Sequence, residues 1–341
     1  MTGAILTGPP AGLWTLAWRR LRADRVAMLS LAVVAAFLLM LVLSASGLIV
    51  ADWEEEVGVN YAPPGFVGAK VGVQPSALAE RAALPDNPFD PLADDIRTLQ
   101  AQLAARADAA PAVPRRATLP FGGDKWGHDI IKKTIKGGET SIVVGLAAAA
   151  LAVGIGTLFG ALSGYWGGVV DDVLNWFYSI FTAIPSVLMI LAVAAVLQQR
   201  GVATIVLILG LTGWTGPYRL IRAEYIKHKG REYVLAADAI GASHWRKMFS
   251  HIFPNVSHVA LVQLSILVVG FIKAEVILSF LGFGVPVGVV SWGSMLNEAQ
   301  NELMLGRWWQ LTAAAIAMAL LVTAFSLLTD ALRDALDPKV K

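Results

Sequence analysis

Lys273 and Glu275 are the two ionisable side chains that lie deep inside a long apolar segment of this sequence. Charged groups inside an apolar helix are costly and usually mark a polar path or a specific partner. Two positions apart on a helix, they point about 200° away from each other and cannot pair. Glu275 is therefore expected to face a polar pathway, or to bond to a neighbouring helix or a second chain. Lys273 is expected to line the same pathway or to extend toward the lipid headgroups.

Three histidines at seven-residue spacing, His244, His251 and His258, suggest a metal site by their pattern. Pro254 interrupts the helix that would align them, so they cannot share one face and no metal site is predicted.

The chain has no cysteine, which excludes disulfides and thiolate chemistry. The phosphate-binding pattern G-x-x-x-x-G-K-[ST] is also absent, so ATP would have to be bound by another chain. An intramembrane enzyme or a membrane scaffold is a distant alternative, because the apolar segments hold only isolated ionisable groups.

The composition identifies the elements that must position these residues as membrane-spanning helices. Of 341 residues, 56% are hydrophobic and 15% charged, and the mean hydropathy is +0.62. A bilayer core needs about 20 apolar helical residues, and lipid offers the backbone no other partners. The predicted fold class is an all-α polytopic membrane protein. Its six predicted spans cover residues 26–50, 140–163, 174–197, 202–222, 259–281 and 312–330.

Basic residues near the ends of the spans predict the orientation. Arg19, Arg20, Arg22 and Arg25 place residues 1–25 in the cytoplasm, and a second basic cluster, Lys227 to Lys247, places the segment 223–257 there too. Both termini, including 331–341, are then cytoplasmic, and 26–50 is a retained anchor. The core domain would cover 140–330. The formal charge of +2 gives no indication of nucleic-acid binding.

The segment 51–120 differs in composition, being rich in proline, alanine and acidic residues. We expect a small extracytoplasmic insertion packed on the membrane mouth, with a helix near residues 91–110; a partly ordered linker is the alternative. Residues 121–139 would form an interfacial amphipathic segment, with Lys132, Lys133 and Lys136 reaching the headgroups.

The loop 223–257 is predicted to hold two short helices that dock on another protein. The first covers Glu232 to Ile240, with Gly241 as its left-handed stop. Ser243 would cap the second helix, which Pro254 would end. One apolar stripe would present Trp245, Met248, Phe249, Ile252 and Phe253.

The order Glu232, Ala236, Ala237, Gly241 resembles the "EAA" loop of the membrane subunits of prokaryotic ABC importers. The longer run E-Y-V-x-A-A-x-A-x-G-A-S, ending H-I-x-P-N at Asn255, is similar to the C-type permeases of dipeptide and oligopeptide importers. Further matches are Phe121-Gly-Gly-Asp-x-x-Gly-His-Asp129, Gly164-Tyr-Trp-Gly-Gly-x-x-Asp171, Glu275-x-x-Leu-Ser-Phe-Leu-Gly282 and Ser291-Trp-Gly-x-Met-Leu296. The resemblance covers about residues 119–340 and the first span. It departs at Gly123, His128 and Lys273, where the family has threonine, arginine and an apolar residue.

This resemblance implies the six-helix permease fold of type I importers, in a prokaryotic plasma (inner) membrane. It implies a second permease chain (a heterodimer), two ATPase subunits that bind ATP and Mg²⁺, an extracytoplasmic substrate-binding protein and a peptide substrate. The chain itself would bind membrane lipid, hold no cofactor and have no catalytic residue. Relatives that carry nickel chelates, opines or peptide-like antibiotics share the same motifs, so these cargoes remain alternatives.

The resemblance also assigns roles to particular residues. The ATPase-coupling residues would be Glu232, Ala236, Ala237, Gly241, Ser243, Trp245, Met248, Phe249 and Pro254. The pathway candidates are Glu275, Lys273, Ser279, Pro185 and Trp292. Basic anchoring at the membrane interface is sufficient to explain Arg219 and Arg222. Gly154, Gly156 and Gly160 are predicted to be close helix–helix contacts.

Overall fold

The computed structural model describes residues 13–68, 95–99, 102, 115–197, 199, 201–286 and 288–336. The chain divides into two compact units, one formed by residues 1–51 and 132–341 and the other by residues 52–131. Among the described residues the regular elements are helices, and the only β pairing is three isolated bridges between residues 58 and 129. The all-α class is therefore confirmed for the described part of the chain.

The main helices of the described residues follow in chain order, and one of them continues from a π-helix. They are α1 Leu13–Ala23, α2 Arg25–Ala45, α3 Ile130–Trp166, α4 Gly168–Ala183, α5 Ser186–Leu197, α6 Val202–Thr212, α7 Thr215–Lys229, α8 Glu232–Ala239, α9 His244–Arg246, the π-helix Lys247–Ile252, α10 Phe253–Phe280, α11 Trp292–Met304 and α12 Trp309–Leu336.

Four continuous helical runs in the described residues are long and apolar enough to cross a membrane. They are Arg25–Ala45, Ile130–Trp166, His244–Phe280 and Trp309–Leu336, and the bent pair α4–α5 makes a fifth if it counts as one span. The predicted fourth span, 202–222, is interrupted after Thr212, which leaves the 11-residue helix α6. Such a helix is about 16 Å long, half of a bilayer core. The count of six spans is therefore not confirmed.

The predicted third span, 174–197, is a bent pair of helices. α4 and α5 meet at 90°, with Ile184 extended and Pro185 between them. The residue before a proline avoids the helical conformation, and proline lacks the N–H that the helix needs. The predicted kink at Pro185 is thus present, and it is sharp.

The predicted interfacial segment 121–139 is not a separate element, because from Ile130 onward it is the first part of the 37-residue helix α3. Lys133 and Lys136 do not extend outward as predicted, because each pairs with a carboxylate of the chain. The Nζ atom of Lys133 is buried and lies 2.6 Å from a carboxylate oxygen of Glu298. Lys136 pairs with Glu139 at 2.8 Å. Sequence-based reasoning could not show this, since Glu298 is 165 positions away.

The unit 52–131 is organised by a turn around Asp124. Its carboxylate accepts hydrogen bonds from the backbone N–H groups of Trp126 (2.9 Å) and His128 (3.0 Å), and also contacts the His128 ring. Gly127 has a φ of +88°, a value that favours glycine. The glycine-rich motif Phe121–Asp129 therefore forms a turn whose backbone is held by Asp124. Residues 95–99 of the predicted helix 91–110 are helical, and most of the remainder lies outside the described residues.

The backbones of α3 and α7 approach each other closely along three glycines spaced four residues apart. A Cβ added at Gly156, Gly160 or Gly164 would lie 2.6 to 2.8 Å from a carbonyl oxygen of α7. Those oxygens belong to Trp214, Tyr218 and Arg222. Small residues at this spacing are typical of tightly packed membrane helices. The prediction is confirmed for Gly156 and Gly160 and wrong for Gly154, whose added Cβ would meet nothing within 4 Å.

We predict that Gly160→Ala destabilises the chain, because the new methyl group would lie 2.8 Å from the Tyr218 carbonyl oxygen. Overpacking of this kind costs about 1–3 kcal/mol. Gly154→Ala is the matched control on the same helix, and it should leave the stability unchanged or slightly higher. Thermal unfolding of the purified protein in detergent measures both. Equal midpoints for the two variants would contradict the close helix contact.

Candidate functional site

The segment between α7 and α10 holds the two short helices that the sequence predicts. α8 covers Glu232–Ala239, with Glu232 in its first turn, where a carboxylate favours the positive helix end. Gly241 has a φ of +77°, and its N–H donates to the Asp238 carbonyl at 2.9 Å. The N–H of Ala242 donates to the Ala237 carbonyl at 3.0 Å. These two bonds form a Schellman motif, so the predicted left-handed stop at Gly241 is confirmed.

The second helix begins where it was predicted but does not end there. The Ser243 side chain accepts a bond from the Arg246 N–H, which caps α9. The helix then continues through the π-helix Lys247–Ile252 into α10. The prediction that Pro254 ends this helix is wrong, because Pro254 is the second residue of α10. Its missing N–H removes one hydrogen bond from the continuous run, at the point where the preceding turn is already widened into the π-helix.

The π-helix changes which side chains face outward, and the predicted single stripe is therefore wrong. Met248 and Ile252 are fully buried, whereas Trp245 is 56% exposed and Phe249 38% exposed. A π turn has more residues than an α turn, so positions counted at α-helical spacing rotate away from a common face. Met248 and Ile252 join a buried cluster with residues of α3, α7 and α8: Ala161, Tyr165, Ile221, Tyr225 and Val234.

The exposed aromatic rings form a small surface that we call the aromatic patch, consisting of Trp166, Trp245 and Phe249. The Trp245 and Phe249 rings are stacked, with centroids 5.6 Å apart and an interplanar angle of 7°. Trp166, at the end of α3, meets Trp245 edge-on at 5.5 Å. The patch therefore joins α3 to the segment after Ser243.

The aromatic patch is held by polar contacts on its inner side. The Tyr165 hydroxyl lies 2.9 Å from Nδ1 of His244. Lys247 pairs with Asp238 of α8, and its ammonium lowers the pKa of that carboxyl below its usual value. His244 thus contacts Tyr165, and no group of three potential metal ligands occurs among the described residues. In α8, Ala237 is buried while Ala236 and Glu232 are exposed.

A polar network next to this cluster was missed by sequence-based reasoning. Nε and an Nη atom of Arg222 in α7 each donate to a different carboxylate oxygen of Asp171 in α4, both at 2.6 Å. Ser163 of α3 donates to the same carboxylate and lies 3.0 Å from the Tyr218 hydroxyl. Because Ser163 uses its proton on Asp171, the Tyr218 hydroxyl donates to Ser163. The sequence did offer a signal for this network. Asp171 ends the family motif Gly164–Asp171, and Arg222 is a basic residue at the end of a predicted span.

Glu275 is fully buried and is held by serine hydroxyl groups. Ser141 of α3 and Ser279 of α10 each donate to it at 2.6 Å. Ser141 also accepts from the N–H of Trp292 at 3.2 Å, and Ser279 accepts from the N–H of Val285 at 3.3 Å. Of the alternatives for Glu275, the structure shows a bond to a neighbouring helix.

The pathway candidates are thus divided between two kinds of location. Glu275, Ser279 and Trp292 lie together in the buried serine cluster, and the indole N–H of Trp292 donates to the Thr134 carbonyl at 3.0 Å. Lys273 is exposed, on the opposite side of α10 from Glu275, so the two do not pair, as predicted. Pro185 is exposed at the bend between α4 and α5.

The long apolar helices and the bent pair α4–α5 define a polytopic helical membrane protein. Residues 156–341 match the profile of the binding-protein-dependent transport system inner membrane components. Residues 12–64 match the N-terminal transmembrane domain of oligopeptide transport permease C. The chain therefore belongs to the family of binding-protein-dependent transport system inner membrane components.

Similar curated proteins carry related names. The dipeptide transport system permease protein DppC of Bacillus subtilis is 35% identical over 67% of this chain and 71% of its own length. The oligopeptide transport system permease protein OppC of the same species is 38% identical over 65% and 72%. DppC of Lactococcus lactis is 30% identical over 97% of this chain and 92% of its own. The resemblance inferred from the motifs is confirmed.

We predict that Asp171→Asn destabilises the protein, because a hydrogen bond to a charged group contributes about 1.5–3 kcal/mol. Asp172→Asn is the matched control, since Asp172 is the exposed next residue and loses the same charge. A double-mutant cycle compares the unfolding of Asp171→Asn, of Arg222→Gln and of the variant that carries both changes. The same cycle with Asp172→Asn in place of Asp171→Asn is the control. Effects of Asp171→Asn and Arg222→Gln that add without coupling would show that the ion pair is not a stabilising unit.

Proposed function

We propose that the chain is the permease subunit of an ATP-driven importer of peptides. The family and the names of its relatives, which are dipeptide and oligopeptide permeases, support the transport role and the peptide cargo. In this proposal the chain lies in a prokaryotic inner membrane with both termini in the cytoplasm. It performs no covalent chemistry.

The proposed assembly contains a second, different permease chain, two ATPase subunits and an extracytoplasmic binding protein. The ATPase subunits bind ATP and Mg²⁺, and the binding protein delivers the peptide. Among the described residues, α4 has no buried residue and α5 has one, so this chain leaves most of both helices uncovered. We infer that the second permease chain covers these two helices.

The aromatic patch is the single observation that carries the coupling role. Exposed, stacked tryptophan and phenylalanine rings next to a charged loop are typical of a protein contact, since aromatic residues dominate the binding energy at interfaces. Ile240, 84% exposed, lies at the end of α8 in the same segment. We propose that an ATPase subunit binds here, with Glu232 and Ala236 of α8 on the same exposed side.

Movement of the ATPase would reach the membrane helices through three successive contacts. The aromatic patch is continuous in sequence with Met248 and Ile252, which pack on α3 and α7 in the buried cluster. α7 is bound to α4 by the ion pair of Asp171 and Arg222. Two packed arrangements of these helices, selected by the ATPases, would open the pathway alternately to each side.

In this mechanism the pathway candidates have different roles. Pro185 lies at the break where α4 and α5 can change their mutual angle, and Lys273 offers a charge on an exposed helix face. Glu275, Ser279 and Trp292 are proposed to act indirectly, by fixing α11 against α3 and α10. No observation favours nickel chelates, opines or antibiotics over peptides.

We predict that Trp245→Ala weakens ATPase binding without unfolding the permease, because the side chain is exposed in the free chain. Loss of a central interface tryptophan typically costs about 2 kcal/mol or more, a factor of about 30 in affinity. Trp126→Ala is the matched control, since Trp126 is 54% exposed but lies in the other unit. Co-purification and binding-protein-stimulated ATP hydrolysis are measured in one reconstituted preparation. Wild-type hydrolysis and retention of the ATPases by Trp245→Ala would reject the docking role.

The proposed orientation gives a separate prediction. The chain has no cysteine, so single cysteines can be introduced without background. Leu305→Cys, which is 62% exposed, should react with an impermeant reagent added outside sealed cells, and Ile240→Cys should not. Permeabilised cells provide the control that both thiols are reactive. Outside labelling at position 240 would reverse the topology and remove the cytoplasmic docking site.

A further inference from the structure

α1 has one side packed on the chain and a basic, aromatic side that is exposed. Trp18, Arg19 and Arg22 are exposed, and the Arg22 guanidinium lies 4.9 Å from the centre of the Trp18 ring. We propose that this exposed side binds the anionic phospholipid headgroups of the membrane surface next to the first span. The proposal depends only on α2 crossing the membrane and not on what the assembly transports.

The opposite side of α1 is fixed to the end of the last helix. Ala17 and Leu21 are buried in one cluster with Ala335 and Leu336 of α12. Arg20 donates to the Ala335 carbonyl at 3.4 Å, so this arginine is already used inside the chain. α1 is therefore held in place, and Trp18, Arg19 and Arg22 are the groups left facing outward.

The connection to α2 places the exposed side at the bilayer surface. α1 ends at Ala23 and α2 begins at Arg25, with Asp24 between them. Three residues of chain span at most about 11 Å, which sets the largest possible distance between the Cα atoms of Arg22 and Arg25. At the start of α2, Val26 and Leu29 are exposed apolar residues, as expected of a helix that enters lipid. Arg22 therefore lies within side-chain reach of the headgroup layer, which is about 5–8 Å thick.

The chemistry of these side chains fits a phosphate group on a lipid. Guanidinium groups bind phosphate oxygens in pairs, and tryptophan prefers the depth of the headgroups. Asp24 is the one acidic residue among residues 1–25, against the four arginines at 19, 20, 22 and 25, so the net charge there stays positive. Its carboxylate is directed at the start of α2, where it accepts the N–H of Val26 at 2.8 Å. Because this side of α1 lies next to the first span, a lipid headgroup is favoured over a protein as its ligand.

The test places a fluorescent probe on a single cysteine at Thr15, which is exposed on α1 of the cysteine-free chain. The complete transporter is reconstituted in phosphatidylcholine with a small fraction of quencher-labelled phosphatidylglycerol or quencher-labelled phosphatidylcholine. We expect the anionic lipid to quench the probe more strongly. A basic residue near an anionic surface contributes a factor of about five, so two arginines give a preference of about 30-fold at most. High salt should reduce this preference, whereas the same quenching by both lipids would overturn the proposal.

Variants assign the preference to α1. Arg19→Gln/Arg22→Gln should bring the ratio of quenching close to one, and Arg19→Lys/Arg22→Lys, which keeps the charge and the orientation, should retain part of it. Arg116→Gln/Lys125→Gln removes the same charge from exposed positions of the other unit and should change nothing. If the glutamine variant loses its ATPase subunits while the lipid preference stays the same, the exposed side binds protein and the proposal is wrong. Retention of the preference in the glutamine variant with the ATPases still bound would equally overturn it.

Discussion

The close approach of the α3 and α7 backbones is the constraint on which most of the described structure depends. Glycine at positions 156, 160 and 164 lets carbonyl groups of α7 lie where any side chain would collide. Once α7 lies there, Tyr218 and Tyr225 are buried between the helices. Tyr225 then donates from its hydroxyl to the Met248 carbonyl at 3.2 Å, which fixes the π-helix. A methyl group added at one of these glycines of α3 would therefore disturb the π-helix and the aromatic patch, although it does not contact them.

The ion pair of Asp171 and Arg222 extends the same constraint to the bent pair α4–α5. Asp171 is in the first turn of α4, where a carboxylate is favourable, and it is the group that binds α4 to α7 most directly. The pair is only partly exposed and is bidentate. It therefore fixes the relative orientation of the two side chains and contributes more to stability than a fully exposed ion pair does. α4 also packs aromatic rings in this region: Phe177 and Phe181 lie 5.5 and 5.4 Å from the Trp214 ring, and Tyr178 lies 5.4 Å from the Tyr218 ring. The ion pair and these rings together set the position of α4 relative to α7.

The sequence predicted features that depend on a few neighbouring residues, whereas features that depend on long-range packing were not predicted. The stop at Gly241, the cap at Ser243 and the opposite faces of Lys273 and Glu275 follow from backbone and helix geometry within a few residues. The burial of Met248 and the continuation of the helix through Pro254 depend on the π-helix, which no periodicity in the sequence indicates. The pairing of Lys133 with Glu298 joins distant parts of the chain. From the sequence, Arg222 in a salt bridge and Arg222 as a basic anchor at the membrane interface look the same. The interruption after Thr212 divides the predicted fourth span, 202–222, although the hydropathy of the sequence is continuous there.

The two ends of α10 are stabilised by different interactions, and this difference has a mechanical consequence. Near its C-terminal end, serine hydroxyls connect Glu275 to the backbone of Trp292 and Val285, and directional hydrogen bonds of this kind are lost together when the groups move apart. Near its N-terminal end, apolar packing of Met248 and Ile252 holds the π-helix, together with polar contacts of Tyr165 with His244 and of Lys247 with the exposed Asp238. Polar groups at an exposed site can exchange their bonds for bonds to water, so small rotations cost less at the patch than at the buried serine cluster. Pro185, between α4 and α5, and Gly213, between α6 and α7, are points where helical hydrogen bonding is already interrupted. We therefore expect a displacement that begins at the patch to be absorbed there and not at Glu275.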